Sequence, residues 1–193
     1  MVHLLEQLGI IEVHEPEAAT NFRLPVRCRF AIMSTRHLEK SRTVPVGMEA
    51  AYHPVLTVPL PQIFGRRFWV IAPIVGVTGQ EGEWGSAVGQ TRTIKMSDGG
   101  NMLETLTVID RPNQFSYTIS NVKGMMKLLV AAAAGTWAFE PDGDGTRITW
   151  SWEVTPTKVL GRAAMPIFAR LWSGFAGQAM EEINKIVTTD QSV

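Results

Sequence analysis

Hydrophobic and polar positions alternate most regularly in residues 146–155, where Ile148, Trp150, Trp152 and Val154 share one face and Arg147, Thr149, Ser151 and Glu153 the other. A period of two predicts a strand with one covered and one wet face. Residues 136–140 precede it across Pro141-Asp142-Gly143-Asp144-Gly145, a turn signal that predicts a hairpin. Residues 88–96 and 101–110 flank Ser97-Asp98-Gly99-Gly100 in the same way, and 114–120 follow across Arg111-Pro112-Asn113. Two shorter β-rich runs, 52–58 and 74–78, complete the set. The first stops at Pro59-Leu60-Pro61, where fixed proline φ angles suit a helix start and a short helix through Gln62-Ile63-Phe64.

The period changes towards the C-terminus. In residues 160–187, Ala164, Ile167, Phe168, Leu171, Trp172, Phe175, Ala179, Met180, Ile183, Ile186 and Val187 recur at spacings of three and four, one stripe of a long helix. Pro166 is expected to kink it or delay its start. Gly161, Gly174 and Gly177 lower its intrinsic propensity, so packing on the sheet must supply its stability. An antiparallel sheet, small helices after its first strand and a long terminal helix make an α+β domain.

Composition narrows the classes. At 193 residues, 45% hydrophobic and 19% charged, the chain suits one globular domain and excludes global disorder. Lys and Arg balance Asp and Glu at 18 each, so no overall field draws nucleic acid. Apolar runs at 68–77 and 128–139 are too short to span a bilayer, so no stable membrane insertion is expected. A lone Cys28 and a start without a basic, apolar leader fit a reducing cytoplasm. All the tryptophans lie between Trp69 and Trp172, which places the domain at 46–193. Residues 1–45 then form an extension, a flexible arm or a segment packed on the domain. It is acidic at Glu6, Glu12, Glu15 and Glu17, then basic at Arg23, Arg27, Arg29, Arg36, Lys40 and Arg42. Its basic stretch offers a regulatory role through a partner, against the plainer reading of a solvated tail.

A series of pieces, ordered along the chain, carries a resemblance. They are Val58-Pro59 with Ile63-Phe64, Trp84 before Gly89 and Arg92, Asp98-Gly99 before Glu104, and Asp110, Pro112, Phe115 and Tyr117. Gly135, Trp137 and Phe139 follow, then Asp144-Gly145-Thr146 with Trp150 and Trp152, and the final helix. Residues 46–193 thereby resemble the START-like, polyketide cyclase/dehydrase-like superfamily, whose fold is the helix grip. The resemblance implies a seven-stranded antiparallel sheet wrapped on the last helix, two short helices after the first strand, and an apolar cavity between sheet and helix. The extension and the Met- and Ala-rich connection at 122–134 depart from the pattern.

Trp137, Phe139, Trp150 and Trp152 on the covered face, with Phe168, Trp172 and Phe175 of the helix, are expected either to line this cavity or to fill it as core. Trp84 belongs to the same ligand-binding set. With a three-residue loop at 98–100, Arg92 and Glu104 sit diagonally on the apolar face of their hairpin, beside Val88, Ile94, Met96, Met102, Leu106 and Val108. A charge there must be paired or reach a wet cavity, so the two form a ligand anchor or a structural ion pair. Tyr117 offers a hydroxyl to the pocket, and His53 a general base. His3, His14 and His37 show no ligand spacing, so neither metal nor cofactor is expected. Met125-Met126-Lys127-Leu128-Leu129 either gates a pocket mouth or ends a core strand.

Binding of a hydrophobic small molecule of lipid, polyketide or isoprenoid type is the leading expectation. The rival is a cyclase or dehydratase in which Arg92 polarises a carbonyl, Glu104 or His53 moves a proton and Tyr117 donates a hydrogen bond. Outward apolar residues leave a homodimer open.

Overall fold

In a computed structural model that describes residues 35–189, the alternating segments form one antiparallel sheet. Its strands are β1 (Arg36–Val44), β2 (Ile74–Thr78), β3 (Thr91–Met96), β4 (Asn101–Asp110), β5 (Gln114–Ser120), β6 (Val130–Asp142) and β7 (Gly145–Pro156). Their order across the sheet is β1-β7-β6-β5-β4-β3-β2. Helices α1 (Met48–Thr57) and α2 (Leu60–Phe64) carry the chain from one edge strand to the other. A 3-10 turn at Met125–Leu128 leads into β6, and α3 (Val159–Thr189) lies along the covered face. This is the helix grip. Among the described residues no helix is long and apolar enough to cross a membrane.

The period of two survives intact in β7: Ile148, Trp150, Trp152 and Val154 are buried. Trp137 pairs with Trp150 and Phe139 with Ile148, so the aromatic residues of both strands point inward together. From α3, Met165, Phe168, Trp172, Phe175, Ala179, Met180, Ile183 and Val187 close the core. The helix continues through Pro166, an exposed position where the missing N–H removes one ladder bond without ending the element.

The first strand is not residues 52–58. That stretch is the end of α1, whose buried Ala51, Tyr52, Val55 and Leu56 recur at helical spacing despite Pro54. The sheet begins instead at Arg36, ahead of the boundary expected at 46, and pairs with β7 from Arg36 opposite Val154 to Val44 opposite Thr146. β1 is an edge strand whose outward charges protect it from further pairing, and those charges hid it in the sequence. The two short helices do follow the first strand, but that strand is β1. Glu6, Glu12, Glu15, Glu17, Arg23, Arg27, Arg29, Cys28, His3 and His14 lie outside the described residues.

Further details differ. β3 starts at Thr91, leaving Val88 exposed in the preceding loop, and an irregularity between Leu106 and Val108 turns Val108 outward. Arg92 stands directly opposite Glu104, not diagonally. Lys95 opposite Asn101 is the last pair of the hairpin, so the connection is two residues longer than expected, and a shift of two keeps every side chain on its face.

Candidate functional site

The interior between sheet and α3 is an aromatic cluster with a small cavity at its centre. Trp137 and Trp150 stack with centroids 4.9 Å apart and planes 4° off parallel. Trp172 lies 5.1 Å from Trp150 and 6.0 Å from Trp152, while Phe64 of α2 approaches Trp150 at 5.2 Å and Phe175 at 5.6 Å. The remaining space is about 60 Å³, room for a few waters or a small apolar group. Most of the aromatic surface therefore packs against itself, and flexible Met96, Met102 and Met126 form the parts of the wall best able to give way.

Polar groups converge at one side of this chamber. The Tyr117 hydroxyl oxygen accepts hydrogen bonds from the indole N–H groups of Trp150 and Trp152, both at 2.8 Å. Those two bonds occupy its lone pairs, and its own proton has no acceptor among the described residues. Burial, reinforced by the negative charge of Glu104, pushes the Tyr117 hydroxyl well above the usual phenol range, so it stays a donor. Trp172 is also buried against the cavity, and its indole N–H finds no partner among the described residues. Two unused donors thus belong to side chains that line one small space.

Arg92 and Glu104 flank them. Arg92 Nε donates to Glu104 Oε2 at 2.5 Å, and both side chains are buried. Burial pushes the Glu104 carboxyl up, and the facing guanidinium offsets this only in part. The guanidinium carbon lies 3.9 Å from the centre of the Trp84 ring, a cation–π contact in a desolvated place. Trp84 is held there by its loop. Gln90 Oε1 accepts from the backbone N–H groups of Gly85, Ser86 and Ala87, and its Nε2 donates to the carbonyls of Glu81 and Glu83. Arg92 separates the chamber from an outer groove lined by Pro59, Pro61, Gln80 and Trp84.

A second cavity of about 230 Å³ opens beside the chamber and shares Ile71, Met96, Met126 and Phe168 with it. Met125, Leu128, Lys123 and Val70 form its outer wall. The Met-rich segment expected at either a pocket mouth or a strand end is at the mouth. Its 3-10 turn leaves Met125 and Leu128 exposed, while Met126 reaches the inner wall.

Of the residues expected to bind a ligand, Arg92, Glu104, Tyr117, Trp137, Trp150, Trp152, Phe168, Trp172 and Phe175 line the chamber. Phe139 does not: it is buried farther along the sheet against Tyr52, 5.2 Å away. Trp84 backs Arg92 from the groove side. His53 is exposed on α1, where it lines no part of the chamber, so the general-base reading loses its geometry. Phe64, Phe115 and Gln90 were missed. The short helix that carries Phe64 was expected, but a helix of five residues shows no period to say that Phe64 turns towards α3, and Gln90 acts through backbone groups of a loop that no sequence period describes.

Comparison with known proteins bears on the fold and the family. Among solved structures, norcoclaurine synthase of Thalictrum flavum is 17% identical at a TM-score of 0.61, over 82% of this chain and 97% of that one. Ginseng major latex-like protein 151 from Panax ginseng is 17% identical at 0.58, over 79% and 97%. Ara h 8.0201 is 16% identical at 0.59, over 80% and 99%. At such identities the likeness concerns the fold. No curated protein matches the sequence. The family model for polyketide cyclase/dehydrase and lipid transport matches residues 35–187, a span that begins with β1 and ends within the last turn of α3. The chain belongs to the polyketide cyclase/dehydrase and lipid transport family.

Proposed function

We propose that this chain binds an apolar small molecule between the sheet and α3, with an oxygen of the ligand directed to the Tyr117 and Trp172 donors. The observation that carries the reading is the pair of unused donors in an otherwise apolar chamber. A buried donor without an acceptor costs about 1–3 kcal/mol, which a ligand carbonyl or hydroxyl oxygen recovers. The chamber alone is too small for a lipid. A larger ligand places its polar end there and its apolar remainder in the adjoining mouth, after Met126 swings aside. Norcoclaurine synthase, in complex with a transition-state analogue, and the family's lipid-transport members give precedent for small molecules on this scaffold. A polyketide, lipid or isoprenoid remains the expected class, and the cytoplasm the expected place.

Titration with 1-anilinonaphthalene-8-sulfonate, an apolar ring system carrying anionic oxygens, tests the reading. Binding near one-to-one, weakened about tenfold or more in Trp172→Phe, which removes an unused donor and strands no other group, supports it. Binding unchanged in that variant places the probe elsewhere and removes the claim.

A catalytic reading has one observation in its favour: Glu104 is a buried carboxyl with a raised affinity for its proton. Its 2.5 Å contact with Arg92 keeps it paired. Turnover of a polyketide-like substrate that Glu104→Gln abolishes without loss of binding would establish it.

A further inference from the structure

Exposed apolar side chains are concentrated at the mouth of the second cavity. Of the eight large hydrophobic residues exposed among the described residues, Val70, Met125 and Leu128 line this opening, Trp69 adjoins Val70, and Ile167 precedes the lining residue Phe168. Trp69 and Val70 form the tip of a tight hairpin closed by mutual hydrogen bonds between Phe68 and Ile71. Met125 and Leu128 come from the 3-10 turn. Ile167 lies beside Phe168 and one helical turn before Leu171, both of which line the mouth. Scattered single residues of this kind need no explanation, whereas a cluster from separate elements around one opening does.

Trp69 is the most telling member. It is 78% exposed and holds φ at 51°, a conformation that a bulky residue adopts only at a cost. The described residues gain little from that side chain, so its position is better explained by a contact with a partner than by folding. The surround is cationic: Lys123 lines the mouth, Lys127 is exposed between Met126 and Leu128, and Arg170 is exposed beside Leu171. Asp98 is the lone carboxylate lining the mouth, and its Oδ1 accepts from the Gly100 N–H.

We infer that this lip docks on the surface of a membrane bearing anionic phospholipid. Tryptophan suits the boundary between headgroups and acyl chains, and lysine stems reach from apolar contact back to phosphate. Each lysine near an anionic leaflet strengthens docking severalfold. A second copy of the chain is a poorer occupant, because a two-fold interface would set this cationic surround against an equally cationic copy. Docking here leaves the protein peripheral, with the cavity mouth facing the lipid surface.

Flotation of the full chain with phosphatidylcholine vesicles, with and without phosphatidylglycerol, tests this independently of any ligand in the chamber. Association with the phosphatidylglycerol vesicles, and little with pure phosphatidylcholine, is expected. Trp69→Gly, which suits the positive φ and should keep the fold, should weaken association roughly tenfold. Lys127→Glu should weaken it by more than tenfold and lessen its dependence on salt. Failure of the full chain to float with either vesicle overturns the inference. So does flotation that neither variant reduces, which would place the contact outside the lip. A concentration-dependent dimer abolished by Trp69→Gly would assign the lip to a second copy and overturn it as well.

Discussion

Tyr117 and Gly135 face each other across β5 and β6, and the phenol ring lies where a side chain at 135 would stand: a Cβ there would be 2.3 Å from Tyr117 Cζ. The missing side chain lets the ring lie flat over the strand and bring its oxygen to the indoles of Trp150 and Trp152. Gly135→Ala should destabilise the fold by about 1–3 kcal/mol through overpacking. Denaturant unfolding of Gly135→Ala, Tyr117→Ala and the double variant gives the coupling. A double variant less costly than the sum of the singles is expected, and strict additivity would mean that the ring does not depend on Gly135.

Tyr117→Phe keeps the ring and removes only the hydroxyl. Two buried indole N–H groups then lose their acceptor, at about 1–3 kcal/mol each. The melting temperature should fall while the far-ultraviolet circular dichroism of the folded state is unchanged. An unaltered melting temperature would show that both indoles find another acceptor.

The Arg92–Glu104 pair should respond asymmetrically to substitution. Arg92→Met alone strands a buried carboxylate and should cost about 3–5 kcal/mol. Replacing both, Arg92→Met with Glu104→Leu, should restore much of that loss, because an apolar pair has no desolvation cost. Equal losses in the single and double variants would instead make Arg92 essential through its contact with Trp84.

Glu104 also predicts a pH dependence. Its folded-state proton affinity is raised by burial, so the native state binds more protons than the unfolded chain between the ordinary carboxylate value and the raised one. The contribution of Glu104 to stability is greatest below the ordinary value and declines as pH rises through that interval. Urea unfolding from pH 4 upward should show this decline in the wild type and less of it in Glu104→Gln, at and above the ordinary carboxylate value. Identical pH profiles would contradict the direction of the shift.

Much of this arrangement was legible in the sequence, for identifiable physical reasons. β7 is covered on one face only, so its alternation reports its environment directly, and β4 and β5 have the predicted bounds because glycine- and proline-containing turns end them. Arg92 and Glu104 were placed on one face from parity alone, even though the loop length was misjudged. β1 was illegible because an edge strand with outward charge shows no covered face, and α1 because its buried stripe is short and rich in β-forming residues. The polar geometry lay beyond sequence reading. Tyr117 meets Trp150 and Trp152 across two strand pairings, and Gln90 positions Trp84 through backbone groups.

Native mass spectrometry of the purified chain, followed by organic extraction of whatever has co-purified, tests the binding claim most directly. The account predicts a one-to-one adduct with an apolar, oxygen-bearing molecule, diminished in Trp172→Phe and in Gly135→Ala. A chain that carries no adduct, and whose melting temperature no apolar fragment raises, would mean that the aromatic chamber is a filled core and not a binding site.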